Sequence, residues 1–407
     1  MEKKKNKKAK WIKFRHRIVT AILYFTLGTY TRLRYGIKIE RIPKDKKRQF
    51  LVLYNHQTPF DQFFVGMAMR NPVYYLATED IFSNGFVSSI IRFLVAPIPI
   101  RKQTADIKAV MDCMRVAREG GTIAIAPEGN RTYSGKTEYI NPAIATLAAK
   151  LRLPIAIFRI EGGYGVHPRW SDIVRKGKMR GYISRIIEPE EYKSMKNEEL
   201  NKIICDELYV NEAKCDGEYV HKRRAEYLER AIYVCPKCGL SVLESNNDIV
   251  KCTKCGLEAR YLTTKEIEGV NEEFPFRFVN DWYEYQNEYV SGLDLSKYVN
   301  EPMYTDKADI RKVIVYKKKE PFLKDAKLTL YGDRIIFNEG GENEKILTFD
   351  KISAVSVLGR NKLNIYFEDD IYQIKGEKRF CALKYVNTYY HAKNSVCAGE
   401  DSKFLGL

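Results

Sequence analysis

Hydrophobic positions in the first half of the chain fall into short unbroken runs, separated by stretches with helical spacing. Residues 50–54, 73–77, 98–100, 122–126 and 155–160 are apolar at nearly every position, as strands buried on both faces are. Between them, residues 61–70, 105–119 and 142–151 repeat apolar side chains every three or four positions and predict helices. That alternation predicts an α/β domain over residues 50–195, its working residues in loops at strand ends. Residues 196–232, rich in Glu, Lys and Arg, predict a helical linker, and two cysteine pairs follow within 233–262. Residues 263–305 read as a second linker. From 306 to 395 the pattern changes: 327–331, 334–337, 354–358, 362–367 and 371–374 predict strands, with a turn at Gly332-Asp333 and a closing helix over 380–393. Residues 396–407 are left as a tail.

A length of 407 residues fits two to three domains, and 45% hydrophobic with 30% charged residues excludes a disordered, collagenous or polytopic membrane chain. Charge changes the picture only locally. Residues 1–50 hold 17 basic and 3 acidic side chains, so most of the net +17 sits at the N-terminus. After a lysine run (Lys3, Lys4, Lys5, Lys7, Lys8, Lys10), the uncharged stretch 18–31 is too short to span a bilayer, which takes about 20 apolar residues. A signal peptide has the same layout, but no small-x-small cleavage site follows. Two readings remain: a buried first helix with a solvated basic tail, and a helix lying in the membrane interface. Trp11, Tyr24 and Tyr30, with Lys and Arg on both flanks, favour the second. Residues 1–49 are therefore expected to form an amphipathic segment on an anionic bilayer surface. The chain is expected at the cytoplasmic face of a membrane, peripheral or monotopic.

Three blocks carry chemistry. Asn55-His56-Gln57-Thr58-Pro59-Phe60-Asp61 leaves the first of the buried runs, and a carboxylate folded back on an imidazole fixes its tautomer and raises its basicity. The same spacing recurs from His167 to Asp172 in a Gly/Pro-rich loop, where a loop histidine with an incidental acid is the expected reading. Ala126-Pro127-Glu128-Gly129-Asn130-Arg131-Thr132 follows another run and brings a guanidinium suited to phosphate. The run from Gly129 to Thr137 resembles a phosphate-cradling P-loop but has one residue too many between its glycines, so nucleotide hydrolysis is not expected. Pro97-Ile98-Pro99-Ile100-Arg101-Lys102 delivers two cations to a strand end.

In this order the blocks NHQTPFD, PIPIRK, APEGNRT and LPIAIFRIEGG resemble the glycerolipid acyltransferase family that includes 1-acylglycerol-3-phosphate acyltransferase. The resemblance implies a glycerol-3-phosphate acyltransferase-like α/β domain. It also implies transfer of a fatty acyl group from acyl-CoA or acyl-carrier protein to the hydroxyl of a lysophospholipid, forming phosphatidic acid from 1-acylglycerol-3-phosphate. His56 would be the general base and Asp61 its orienting acid. Arg101, Glu128, Gly129, Asn130 and Arg131 would position the acceptor's phosphate. No acyl-enzyme or organic cofactor is implied, and the chain has no G-x-S-x-G nucleophile elbow. Two departures stand out. Asn130 replaces the usual Thr, and Tyr139-Ile140-Asn141-Pro142-Ala143 replaces Phe-Lys-x-Gly-Ala, removing a lysine near the acceptor.

Cys235-Pro236-Lys237-Cys238-Gly239 and Cys252-Thr253-Lys254-Cys255-Gly256 are two matching knuckles, each with a glycine where the turn needs freedom from Cβ. Four thiolates with strand-like flanks predict a zinc ribbon whose closed tetrahedron makes the metal structural. A redox dithiol needs only one such pair. With four basic and three acidic side chains over 235–262, the ribbon lacks a phosphate-backbone footprint, so no nucleic-acid partner is expected. A zinc-ribbon binding or regulatory protein with a non-catalytic acyltransferase-like domain is the alternative reading. By strand count and final helix, the β-rich C-terminal region resembles pleckstrin-homology-like folds.

Overall fold

Strands covered on both faces need apolar side chains at every position. β2 (Leu51–Tyr54) and β5 (Thr122–Ile125) are buried along their whole length. The computed structural model describes residues 10–44, 48–78, 80–100, 106–314 and 317–396. Among these, β1 (Ile37–Ile39), β2, β3 (Val73–Thr78), β4 (Ile98–Ile100), β5, β6 (Ile155–Glu161) and β7 (Met179–Ile187) form one sheet in the order β1-β7-β6-β2-β5-β3-β4. β2 through β6 run parallel, while β7 pairs antiparallel with β6 and carries β1 at the edge.

Helices cover both faces. α4 (Ile107–Arg118), α5 (Ala143–Leu151) and α8 (Asn197–Leu208) pack on Leu51, Leu53, Ile123, Ile155 and Ile157. The opposite face, with Val52, Tyr54, Ala124 and Phe158, takes Tyr35 from α1 (Phe14–Tyr35) and Phe64, Val65 and Ala68 from α2 (Asp61–Ala68). Burying each such side chain contributes roughly 1.5–3 kcal/mol. α3 (Phe86–Val95) lies between β3 and β4, and there are two one-turn helices, α6 (Gly163–Val166) between β6 and β7 and α7 (Pro189–Tyr192) after β7. Because β2, β5 and β6 are parallel neighbours, the loops leaving their C-terminal ends lie side by side.

The region read as a helical linker is α-helical only over α8, with one 3-10 turn at Leu228–Arg230. The rest of 209–232 is irregular, its charged side chains engaged with tertiary partners: Arg224 with Asp248 (2.7 Å), Arg230 with Asp172 (2.8 Å) and Glu229 with Arg379. Around the cysteine pairs, β8 (Val234–Cys235), β9 (Gly239–Leu240), β10 (Leu243–Asn246), β11 (Ile249–Cys252), β12 (Glu258–Tyr261) and β13 (Ile267–Gly269) form a two-stranded and a four-stranded sheet.

The stretch 263–305 is no plain linker, for it contains α9 (Val279–Ser291). Gln286 accepts the N–H of Tyr233 (2.6 Å) and donates to the Ala231 carbonyl (3.0 Å), and the Trp282 indole donates to the Val234 carbonyl (2.8 Å). Its buried face is aromatic and amide, which hid it from a reading based on aliphatic spacing.

β14 (Tyr304–Lys312), β15 (Glu320–Leu330), β16 (Arg334–Phe337), β17 (Lys345–Thr348), β18 (Ile352–Leu358), β19 (Lys362–Phe367) and β20 (Asp370–Gly376) form an antiparallel sheet in the order β17-β16-β15-β14-β20-β19-β18, closed by α10 (Leu383–Val396). The strands around the cysteine pairs, α9 and this sheet share one core, running from Val234 and Leu243 through Trp282 to Leu328, Ile365 and Tyr385.

Candidate active site and cysteine cluster

β2 ends at Tyr54, and the next residue locks the loop in place. The Asn55 amide donates to the Ile160 carbonyl (2.9 Å) and accepts the Ile160 N–H (2.8 Å), fastening the loop to β6. Gln57 accepts the Tyr164 N–H (3.0 Å). The His56 backbone is held at both ends. Its N–H donates to Glu128 Oε1 (2.9 Å) and its carbonyl accepts the Thr132 N–H (3.0 Å).

Asp61 opens α2 and is fully buried. Its carboxylate accepts from Gln57 N (2.6 Å), Thr58 N (2.9 Å), Thr58 Oγ1 (2.5 Å) and His56 Nδ1 (2.8 Å). A charge out of water is tolerable only when compensated, and here the donors and the helix N-terminus do so. With Nδ1 donating to Asp61, Nε2 is the atom free to take a proton. The His56 side chain keeps 22% exposure, enough for a substrate hydroxyl to reach it. Burial lowers the His56 pKa below its ordinary value; Asp61 opposes the shift, and Arg131 and Arg169 reinforce it. The imidazole is therefore neutral at neutral pH, the state a general base requires.

The 126–132 turn sits against this dyad. Gly129 holds φ +68° with open space where a Cβ would stand. Glu128 Oε2 accepts the Glu138 N–H (2.9 Å), so both carboxylate oxygens brace backbone. Burial pushes its pKa up to about 8 despite those bonds. Arg131 Nη1 is enclosed and has no hydrogen-bond partner, and burial, with Arg169 and Arg360 next in effect, lowers its pKa to about 9. Asn130 lies beside Arg169, its Oδ1 3.5 Å from Nη2. Arg101 lies outside the described residues.

The second His-to-Asp spacing does not close. Buried His167 bonds to the Tyr35 hydroxyl (2.8 Å) and to Arg360 Nη2 (2.7 Å), while Asp172 pairs with Arg230 and with Arg360 (2.9 Å). Burial first, then the Arg360 charge, hold the His167 pKa down to about 3. Neither Arg169 nor Arg360 was picked out from sequence. Arg169 stands two residues from His167 and could have been suspected; Arg360 sits in a distant turn with no local signal.

The four knuckle thiols converge. Cys235 and Cys255 sulfurs lie 3.6 Å apart, Cys238 and Cys252 3.5 Å, and all four within 4.8 Å. A Zn–S bond of about 2.3 Å implies about 3.8 Å between tetrahedral sulfurs, so the donor set fits a tetrahedral ion. Gly239 and Gly256 turn at φ +75° and +77°, and a Cβ on Gly239 would stand 2.2 Å from the Tyr289 hydroxyl. These four cysteines can hold a metal ion.

Helix α1 buries His16, Gly28, Thr31 and Tyr35 and presents Phe14, Ile18, Ile22, Phe25 and Leu33 to solvent. α3 adds exposed Phe86, Val87, Ile90 and Phe93 beside it, held through Arg15, which donates to the Phe93 carbonyl (2.7 Å). Trp11 does not project with that surface; its indole N–H donates to the Ala96 carbonyl (2.9 Å). Among the described residues, no helix is long and apolar enough to cross a membrane.

Residues 36–161 match the model of a family described as Acyltransferase. Among solved structures the chain is similar to the 1-acyl-sn-glycerophosphate (LPA) acyltransferase PlsC from Thermotoga maritima, at 24% identity over 48% of this chain and 78% of that one, with a TM-score of 0.40. No curated protein matches the chain.

Proposed function

We propose, from the match of residues 36–161 to the family described as Acyltransferase, that the chain is an O-acyltransferase of the glycerolipid type, acylating a lysophospholipid such as 1-acylglycerol-3-phosphate. The observation that carries the reading is the His56–Asp61 pair, with Arg131 near enough to act on His56 and its Nη1 without a hydrogen-bond partner among the described residues. His56 Nε2 takes the proton of the acceptor hydroxyl as its oxygen attacks the thioester carbonyl of acyl-CoA or acyl-carrier protein. The ester C–O bond forms, the C–S bond breaks, and the proton passes from His56 to the departing thiolate. Asp61 holds the imidazole in the productive tautomer and stabilises its charged form. Arg131 and the family's Arg101 position receive the acceptor phosphate, while Gly129 and Asn130 shape the turn around it.

The apolar faces of α1 and α3 suit a bilayer interface, where both acceptor and product reside. Phe14 is 76% exposed, Leu33 83% and Phe86 79%, and Lys13, Arg15 and Arg17 lie alongside for anionic headgroups. The cysteine cluster is assigned as a structural zinc site in a zinc ribbon. The strand order with a closing helix supports a pleckstrin-homology-like C-terminal module. The deciding experiment is mass spectrometry of products from purified protein with labelled acyl thioesters and a panel of lysolipids. Phosphatidic acid from 1-acylglycerol-3-phosphate is the expected product; no acylated product with any acceptor would overturn the reading.

A further inference from the structure

Arg131, Arg169 and Arg360 lie close enough to act on one another's charge, the first two also on His56, and Arg230 joins Arg360 on one carboxylate. Arg230 and Arg360 share Asp172. Arg169 bonds to carbonyl oxygens, those of Arg131 (2.7 Å), Gly359 (3.1 Å) and Val357 (3.4 Å), and its plane lies 4.2 Å from the Tyr133 ring centroid. Arg131 leaves Nη1 enclosed and unbonded. Asp61 and Glu138 lie near Arg131 and Arg169 but spend their hydrogen bonds elsewhere, and an enclosed cationic donor without a partner is costly out of water, so the place fits an anion that is itself a ligand.

The cluster is not made by the acyltransferase domain alone. Gly359 and Arg360 form the turn between β18 and β19, and Gly359 takes φ +64° to make it. Arg169 ties that turn to the 126–132 loop, and Arg360 reaches His167 and Asp172 from the other side. Neutral His167 accepts from Arg360 at Nε2, and it holds Tyr35 through Nδ1.

We infer that the β18–β19 turn of the C-terminal sheet completes the acceptor pocket, Arg360 joining Arg131 on the phosphate of the lysolipid. This rests on the acyltransferase reading for the identity of the ligand, though not for the presence of an anion site. The C-terminal module is then part of the binding site, and selectivity for a phosphate-bearing acceptor depends on it. Arg360 acts as a specificity residue, and Arg169 positions the two loops.

Equilibrium binding tests this without turnover. Dissociation constants of 1-oleoylglycerol 3-phosphate, 1-oleoylglycerol and coenzyme A are measured on the full-length protein, its Arg360→Ala variant and its Arg360→Lys variant. Wild type should prefer the phosphate-bearing lipid at least tenfold. Arg360→Ala should cut that preference about tenfold or more, the range of one charge-assisted hydrogen bond. Arg360→Lys should recover part of it, and affinity for 1-oleoylglycerol and for coenzyme A should stay within twofold. No preference in wild type, an equal loss for both lipids, or a loss confined to coenzyme A would overturn the inference. Should Arg360→Ala fail to fold, competition by inorganic phosphate against 1-oleoylglycerol 3-phosphate decides, with Arg360→Lys needing more phosphate for half-displacement; equal competition in both overturns it. A wild type that binds the phosphate lipid but transfers no acyl group would count against the enzyme and leave the anion site standing.

Discussion

The His56 loop and the cysteine cluster both gather reactive side chains, yet they are held in opposite ways. Around His56 the carboxylates and the Asn55 amide find their partners within the chain: Asp61 takes four donors, Glu128 two backbone amides, and Asn55 both polar atoms of Ile160. That geometry stands without a ligand. The four sulfurs have Ser241 Oγ (2.9 Å from Cys252), each other, and backbone N–H groups of the two knuckles, and thiols are weak donors and acceptors. Their convergence is one that a metal ion would complete. One region is organised by its own hydrogen bonds; the other, on the proposed zinc assignment, would draw its order from a metal.

The largest effect should come from the first region. Replacing His56 with Ala should lower acyl transfer about 10³-fold or more while the melting temperature stays within a few degrees, since the imidazole contributes one partly exposed bond to the fold. A steady-state assay beside a thermal melt checks both halves, and turnover above a tenth of wild type would break the assignment.

Next in size is the metal. Elemental analysis should find one zinc per chain, and Cys235→Ser should release it. The loss should spread beyond the ribbon, because Cys235, Leu243 and Val250 share a core with the C-terminal sheet. A drop in melting temperature of about 10 °C is expected for several kcal/mol lost in a unit of this size. Unchanged stability after the metal is removed would make the cluster a redox pair instead.

A smaller effect should follow Asn55→Ala. The change leaves the Ile160 amide and carbonyl unpaired in a buried place, costing about 1–3 kcal/mol, and frees the loop that carries His56. Activity should fall about tenfold with acceptor affinity little changed. A purely structural Asn55 would lower stability and leave the turnover of the folded fraction intact.

How much of this was legible follows from distance along the chain. Asp61 reaches His56 across five residues, and β2, β5 and β6 are apolar at nearly every position, so the dyad and its sheet could be read directly. The knuckles were equally local, and their glycines fall at positive φ as the turn chemistry demands. Arg360 meets His167 across 193 residues, and no local pattern encodes such a meeting. α3 was missed because its run Phe86-Val87 to Phe93-Leu94 is apolar yet exposed, a pattern with no place in a core-based reading. β14 was missed for the reverse reason. It turns Asp306 toward α10, where Lys384 and the Tyr385 hydroxyl meet the carboxylate at 2.9 and 2.7 Å, and a half-buried aspartate masks the alternation.

The finest test of the comparison is the pH profile. Burial and the nearby guanidinium groups favour neutral His56, so its pKa lies below 6.5 and the base form persists on the acid side of neutrality. Activity should stay level as pH falls through 6.5 and decline only further down, when the imidazole takes its proton. Arg169 is one of the charges that lower this pKa. Removing it as Arg169→Gln takes away a repulsion toward imidazolium, which stabilises the protonated form, raises the pKa and moves the acid limb upward. The shift should be small, because burial is the largest cause and remains. The readout is kcat/KM against pH at fixed ionic strength for wild type and variant. A limb that moves downward, or a wild-type limb centred above 6.5, would mean that the titrating base is not His56 in this setting, and the chain's own hydrogen bonds would then not be what tunes the reaction.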